Sequence, residues 1–207
     1  MNSKFNLLSL SILLTASSLI SCGDNKVNGT IVDSFSTYTS VKVCQNIDSN
    51  NYYESNKKEL KVDVSLMKNE SESTQLVFQS GDKINNYSAT ISDLKDAKGN
   101  IIPKENVTLY VEKYVYLEKK FETSNTNFLP GDYIPDCLIP IQNIIDAKEN
   151  YIDANKNQGF IVDIKSEKDT VSGVYYGNID FNFDNKKISV PMKATVWDFA
   201  YEGKRDF

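Results

Sequence analysis

The chain has 207 residues, 40% of them hydrophobic and 11% aromatic, enough for one folded domain with a proper core and too apolar for disorder. With 28 acidic against 23 basic residues its net charge is −5, and it has no Lys/Arg run; this excludes nucleic acid and anionic lipid as partners held by charge alone. It has no histidine, so Ser-His-Asp and Cys-His relays and imidazole-bound zinc are excluded, and its cysteines are too few for a structural zinc site.

Residues 1–21 read as a signal peptide: a single early cation, Lys4, precedes an uncharged stretch from Phe5 to Cys22. Asn and Ser interrupt the stretch and no second basic flank follows, so it is a poor membrane span. Leu19-Ile20-Ser21-Cys22 resembles the bacterial lipobox, in which cleavage falls before the cysteine and its thiol takes up lipid. The expectation is an extracytoplasmic protein of the cell envelope, anchored to a membrane through lipidated Cys22. Acyl chains stabilise such an anchor by about 0.8 kcal/mol per buried CH₂. Removal of the signal peptide takes one lysine and no acid, moving the net charge from −5 to about −6. Cys44 and Cys137 then remain in a compartment that permits disulfides; they can pair, but nothing in their spacing requires it, and two separate thiols are the simpler expectation.

Residues 22–30 are polar and breaker-rich and read as a flexible tether. From there the period is two. TSVKVCQ, ELKVDVSLM, TQLVFQS, NYSATISDL, VTLYVEKYVYLE, GFIVDIKS, GVYYGNIDFNFD and KISVPMKATVWDF alternate apolar with polar, and Val, Ile, Tyr and Phe dominate them. Turn residues separate them at Ser80-Gly81-Asp82, Lys98-Gly99-Asn100, Ser172-Gly173 and Asp184-Asn185, the last being the clearest hairpin. Only 141–149 (IQNIIDAKE) has a helical period, for barely two turns. Many short alternating strands without helices between them predict an all-β antiparallel sandwich over residues 31–200, with 201–207 beginning a linker. One long irregular connection, about 119–158, breaks the rhythm with Pro130, Pro135 and Pro140. Its aliphatic content argues for an ordered, functional or interface-forming segment.

No GxGxxG or P-loop occurs, so no phosphate cradle or nucleotide cofactor is signalled, and no cofactor or metal site is expected. The acids fall on outward strand positions or in turns, where they solubilise; a glycosidase-type pair needs two carboxyls held in a concave site. On 107–118, Val107, Leu109, Val111, Val115 and Leu117 fall on one face, with Tyr110, Tyr114 and Tyr116 on the other. That Tyr row beside Glu112, with Tyr133, suits sugar stacking or cover by a loop or second domain. Trp197 and Phe199 share a face, and their areas fit either the core or a seam against another domain; for Trp197 the core is the simpler expectation.

A set of phrases belongs together: Asn69-Glu70-Ser71-Glu72 before Leu76-Val77-Phe78, Asp93-Leu94 before Gly99, Val107-Thr108-Leu109-Tyr110-Val111, Gly131-Asp132-Tyr133-Ile134-Pro135-Asp136-Cys137-Leu138-Ile139-Pro140, Asn157-Gln158, Ser172-Gly173-Val174-Tyr175-Tyr176-Gly177 and Val196-Trp197-Asp198-Phe199. In this order they resemble the N-terminal β-sandwich of glycoside hydrolase family 123 and of the related family 4091 of domains of unknown function, over about residues 36–199. The resemblance implies that a (β/α)₈-like barrel follows the sandwich and carries the chemistry, a substrate-assisted removal of N-acetylgalactosamine by an acidic pair. None of those catalytic residues has a position in this sequence, so the chain is expected to be non-catalytic. The family pattern is broken at Cys137, where a small residue is usual, and at Ala200-Tyr201, in place of Leu-Pro. Two functions remain: an accessory domain of a lipid-anchored glycan-degrading protein, or a stand-alone surface lipoprotein that binds glycan or protein through its Tyr face or long loop.

Overall fold

The computed structural model describes residues 27–32, 60–116 and 133–203. Cys22, Cys44, Leu117 and the strand expected at 39–45 lie outside the described residues. In chain order the elements are β1 (Val27–Val32), β2 (Val62–Lys68), β3 (Ser71–Ser80), β4 (Tyr87–Ile91), β5 (Leu94–Lys95), β6 (Ile101–Ile102), a 3-10 turn (Lys104–Asn106), β7 (Val107–Tyr116), β8 (Tyr133–Pro140), α1 (Ile141–Asp146), β9 (Asn157–Lys165), β10 (Gly173–Phe183) and β11 (Lys186–Ala200). No helix among the described residues is long and apolar enough to cross a membrane.

Two sheets form. The first runs β1-β3-β9-β7-β8; the second runs β2-β11-β10-β5-β6, with β4 also on β10. Every strand pair is antiparallel except β2 with β11, which is parallel. The all-β sandwich read from the alternation is the fold observed. Within the 119–158 connection the structure adds an edge strand, β8, and the short helix α1. Pro135 and Pro140 are tolerated because β8 is an edge strand among the described residues, where a missing ladder N–H costs least. Residues 27–30, read as tether, are part of β1; Asn28 and Gly29 disguise it as a turn, and pairing with β3 from Val27↔Ser80 to Val32↔Gln75 defines it.

Period two sorts the core. Leu76 and Phe78 of β3, Val107, Leu109 and Val111 of β7, Phe160, Val162 and Ile164 of β9, Tyr175, Ile179, Phe181 and Phe183 of β10, and Val190, Met192, Ala194 and Val196 of β11 are all buried between the sheets. Five rings form its centre: Phe78 packs on Phe160, Phe181 and Phe183, and Tyr87 stands edge-on to Phe160 at 5.4 Å. Truncating one of these phenylalanines to alanine costs about 3–5 kcal/mol. The hairpin at Asp184-Asn185 forms as read, with Asp184 at φ 50 and its carboxylate accepting from the backbone N–H groups of Asn85 and Asn86. At the corner where the chain crosses between sheets, Asn69 takes φ 62, and the buried Ser166 hydroxyl donates to the Met67 carbonyl at 2.5 Å.

Trp197 corrects an expectation. The even positions from Val190 to Val196 are committed to the core, so Trp197 faces outward and is 50% exposed, with Phe199 at 56%. The register against β2 also slips here, from Val196↔Leu66 to Ala200↔Lys68, leaving two extra residues on β11. Pro191 escapes penalty in this central strand because β2 joins only from Met192 onward.

Candidate functional site

A concave feature is built where β7 outruns β9. β7 alternates cleanly through Val111, then continues to Tyr116 against β8, with one extra residue, Asp136, at a register shift. Beyond α1, the segment to Asn157 returns through an Ile84↔Ile152 bridge held by two backbone bonds of 2.8 and 2.9 Å. The Asn150 amide donates to the Tyr87 carbonyl at 2.8 Å and fixes the return. Between these elements lies a pocket of about 450 Å³, lined by Tyr114, Tyr133 and Tyr151, by Glu112, Asn157 and Gln158, and by the buried Tyr87 and Ile144 among others. Such a lining offers flat rings and amides, the groups that hold a polyol or sugar ring.

Of the four tyrosines singled out from the sequence, the structure brings two into this pocket, Tyr114 and Tyr133. Tyr116 lies directly across from Tyr133, their rings 5.1 Å apart and both about half exposed. Tyr110, half-buried further down β7, is not among the lining residues. Val115, expected on the buried face, is 43% exposed because β7 has left the core by that point. Cys137 is exposed on β8 and free.

Glu112 overturns the expectation that the strand acids solubilise: it is only 4% exposed. It lies on the outer face of the first sheet, above Gly159 of the neighbouring β9. A Cβ at Gly159 would stand 1.8 Å from Glu112 Oε2, so only glycine lets the carboxyl pass across β9. On the far side, the Gln75 amide of β3 donates to Glu112 Oε1 at 2.5 Å. Gln158 donates to the Glu112 backbone carbonyl at 2.9 Å. Burial pushes the Glu112 carboxyl up to about 7, with the Gln75 bond opposing. Oε2 is sealed from solvent and finds no hydrogen-bond partner among the described residues. A raised carboxyl pKa in a pocket wall is the signature of a general acid. Here geometry argues otherwise, because an oxygen closed to water is closed to a glycosidic oxygen as well.

The other pocket carboxylates are engaged. Glu149 is paired with Lys113, and Asp153 lies 3.4 Å from Lys83, whose ammonium also sits 5.1 Å above the Tyr151 ring. Burial, then Glu149, raises the Tyr87 hydroxyl. Among the described residues no group of three or more acids or cysteines could hold a metal ion. Sequence reasoning named Glu112 only beside the Tyr row and missed its burial, and it missed Gln75 and Tyr151. The signal for the first was Gly159, a glycine at the head of a strand that otherwise carries large side chains.

The fold is therefore that of a β-sandwich domain whose pocket wall holds a buried, stapled carboxyl. Residues 38–182 match the profile of the glycoside hydrolase 123 N-terminal domain, and the chain belongs to that family. Among solved structures it is similar to a family 123 glycoside hydrolase from Clostridium perfringens, studied for hydrolysis of glycolipid glycans, at 14% identity and a TM-score of 0.60; the match covers 84% of this chain. The chain spans 28% of that enzyme's length. Weaker likenesses are AvmM, which catalyses macrocyclization in alchivemycin A biosynthesis (5% identity, TM-score 0.37, covering 89% of this chain and 94% of that one), and CfaE, the adhesive subunit of the CFA/I fimbria of enterotoxigenic Escherichia coli (11%, 0.31, 67% and 46%). A comparison of the sequence with curated proteins gives no match.

Proposed function

We propose that this sandwich is the non-catalytic accessory domain of a lipid-anchored glycan-degrading protein, and that the hydrolytic barrel follows it on the same polypeptide. Membership of the glycoside hydrolase 123 N-terminal domain family carries the reading. The site chemistry agrees with it: Glu112, the pocket carboxyl pushed up to about 7, is sealed, and its pocket neighbours Glu149 and Asp153 are tied to lysines. The resemblance of Leu19-Ile20-Ser21-Cys22 to a lipobox supports a lipid anchor at Cys22 and, with it, a position in the cell envelope.

Three measurements test this. Purified protein lacking residues 1–21 should not hydrolyse aryl glycosides, N-acetylgalactosaminides included; turnover that disappears in Glu112→Gln would overturn the reading. Palmitate should label the chain in a bacterial host, and Cys22→Ala should abolish the label. The gene should continue past Phe207 into a barrel domain.

The pocket favours a second reading, a surface lipoprotein that binds glycan with its tyrosines. Tyr114, Tyr133 and Tyr151 would stack on sugar faces, with Asn157 and Gln158 beside them. Titration with N-acetylgalactosamine and short oligosaccharides, followed by tyrosine fluorescence, distinguishes the two: saturable binding lost in Tyr133→Ala supports this one.

A further inference from the structure

The outer face of the second sheet is apolar where it should be polar. Val174 and Tyr176 point outward from β10, at 37% and 60% exposure. Register sets Val174 opposite Thr195 and Tyr176 opposite Lys193 on β11. Trp197, two residues beyond Thr195 on the same face, is therefore the diagonal neighbour of Val174, within reach of a large ring. Val171 and Phe199 extend the surface at the same end, both about half exposed. The rim is charged: Lys193 pairs with Asp63 at 3.2 Å, Lys68 with Asp198 at 2.7 Å, and Lys168 with Glu202 at 3.8 Å, while exposed Lys95 of β5 stands opposite Tyr176. An apolar centre with a Trp inside a charged rim is the anatomy of a protein interface.

The path of the chain names the occupant. Past Ala200, the Tyr201 N–H donates to the Lys68 carbonyl at 2.8 Å, and the Asn69 amide donates to the Tyr201 carbonyl at 3.0 Å. The chain therefore leaves the sandwich in a fixed direction, two residues from Phe199. A domain attached there by a few residues is held within roughly 20 Å of this face and meets it at millimolar effective concentration. The Tyr116–Tyr133 pair is at the other end. Val107 starts β7 beside Ile164 at the exit end, and Tyr116 lies nine residues on, about 30 Å at 3.3 Å per residue.

Resting on the accessory-domain reading, we infer that the face carrying Trp197, Phe199, Val174 and Tyr176 is the seat of the domain that follows the sandwich on the same polypeptide. That domain meets it with an uncharged aliphatic or aromatic patch. The Tyr face of β7, at the far end, is left free.

Hydroxyl-radical footprinting read by mass spectrometry tests this on two polypeptides: the 207-residue chain, and the same chain continued past Phe207 as its gene reads. In the first, Trp197, Phe199 and Tyr176 should oxidise at the rate of exposed rings. In the second, their oxidation should slow at least fivefold, while that of Tyr116 and Tyr133 stays unchanged. Trp197→Glu combined with Tyr176→Glu, both exposed and so compatible with folding, should restore fast oxidation of Phe199 in the longer chain. Protection of Tyr116 and Tyr133 with none at Trp197 would overturn the inference and leave the accessory reading standing. A stop codon after Phe207, or two domains that tumble independently with neither face protected, would overturn both.

Discussion

The two outer faces of this sandwich invert the usual rule. On the first sheet an acid, Glu112, is buried, spanning β9 over Gly159 to reach Gln75. On the second a tryptophan stands half exposed with Tyr176 and Phe199 around it. Both sit at outward positions of their strands. The difference teaches that period two assigns a side chain to a face, while the fate of the outer face is decided by what crosses it or docks on it.

The first face is best broken at its glycine. Gly159→Ala should cost about 3 kcal/mol, because the new Cβ meets Glu112 Oε2 at 1.8 Å and Cδ at 2.6 Å and drives the buried carboxyl off the Gln75 amide. For a chain of this size that is a Tm fall of roughly 6–12 °C. Adding Glu112→Ala should recover much of the loss, and a double-mutant cycle in urea that shows no coupling would mean the carboxyl is not where the structure puts it.

Comparable in size, but dependent on pH, is the effect of Glu112→Gln. The folded carboxyl titrates at about 7 against an ordinary 4.5, so the folded chain keeps a proton that the unfolded chain releases between those values. Native stability tied to this group is complete below pH 4.5 and is lost as pH rises through about 7. The amide removes that loss: it should leave stability unchanged near pH 4 and raise it by about 3 kcal/mol at pH 8. Urea unfolding at the two pH values measures it, and equal shifts at both would contradict the burial. Gln75→Leu should cost about 1–2 kcal/mol, since it strips Oε1 of its donor.

On the second face the expected effect on stability is smallest. Trp197→Lys in the 207-residue chain should change unfolding free energy by no more than about 0.5 kcal/mol, since the ring covers little of the core. A loss of several kcal/mol would return Trp197 to the interior.

The legible part of this fold was whatever the alternation alone dictates. β2, β3, β7, β9, β10 and β11 read straight from their apolar parity, and so did the Asp184-Asn185 hairpin. β1 was hidden, because Asn28 and Gly29 look like a turn and only pairing with β3 makes them a strand. β8 was hidden by Pro135 and Pro140, tolerated only at an edge. The site was less legible for the same reason. Tyr114 and Tyr133 were found as a row, but Tyr151 reaches them through the Ile84↔Ile152 bridge, a pairing 68 residues apart that no local pattern encodes. Trp197 failed by parity: four committed residues from Val190 to Val196 had already fixed which way it turns.

The parallel pairing of β2 with β11 has a consequence for how this domain is made. β11 lies inside its sheet, between β2 and β10, yet among the described strands it is synthesised last, and its partner β2 was completed about 130 residues earlier. Until Ala200 is available, β2 and β10 have no strand between them, and sheet closure waits on a contact of very long sequence separation, which slows folding. The stretch matching the family profile stops at Asn182, before β11 begins. A protein cut at that boundary would keep every ring of the aromatic centre but Phe183 and lose the strand that joins one half of its second sheet to the other.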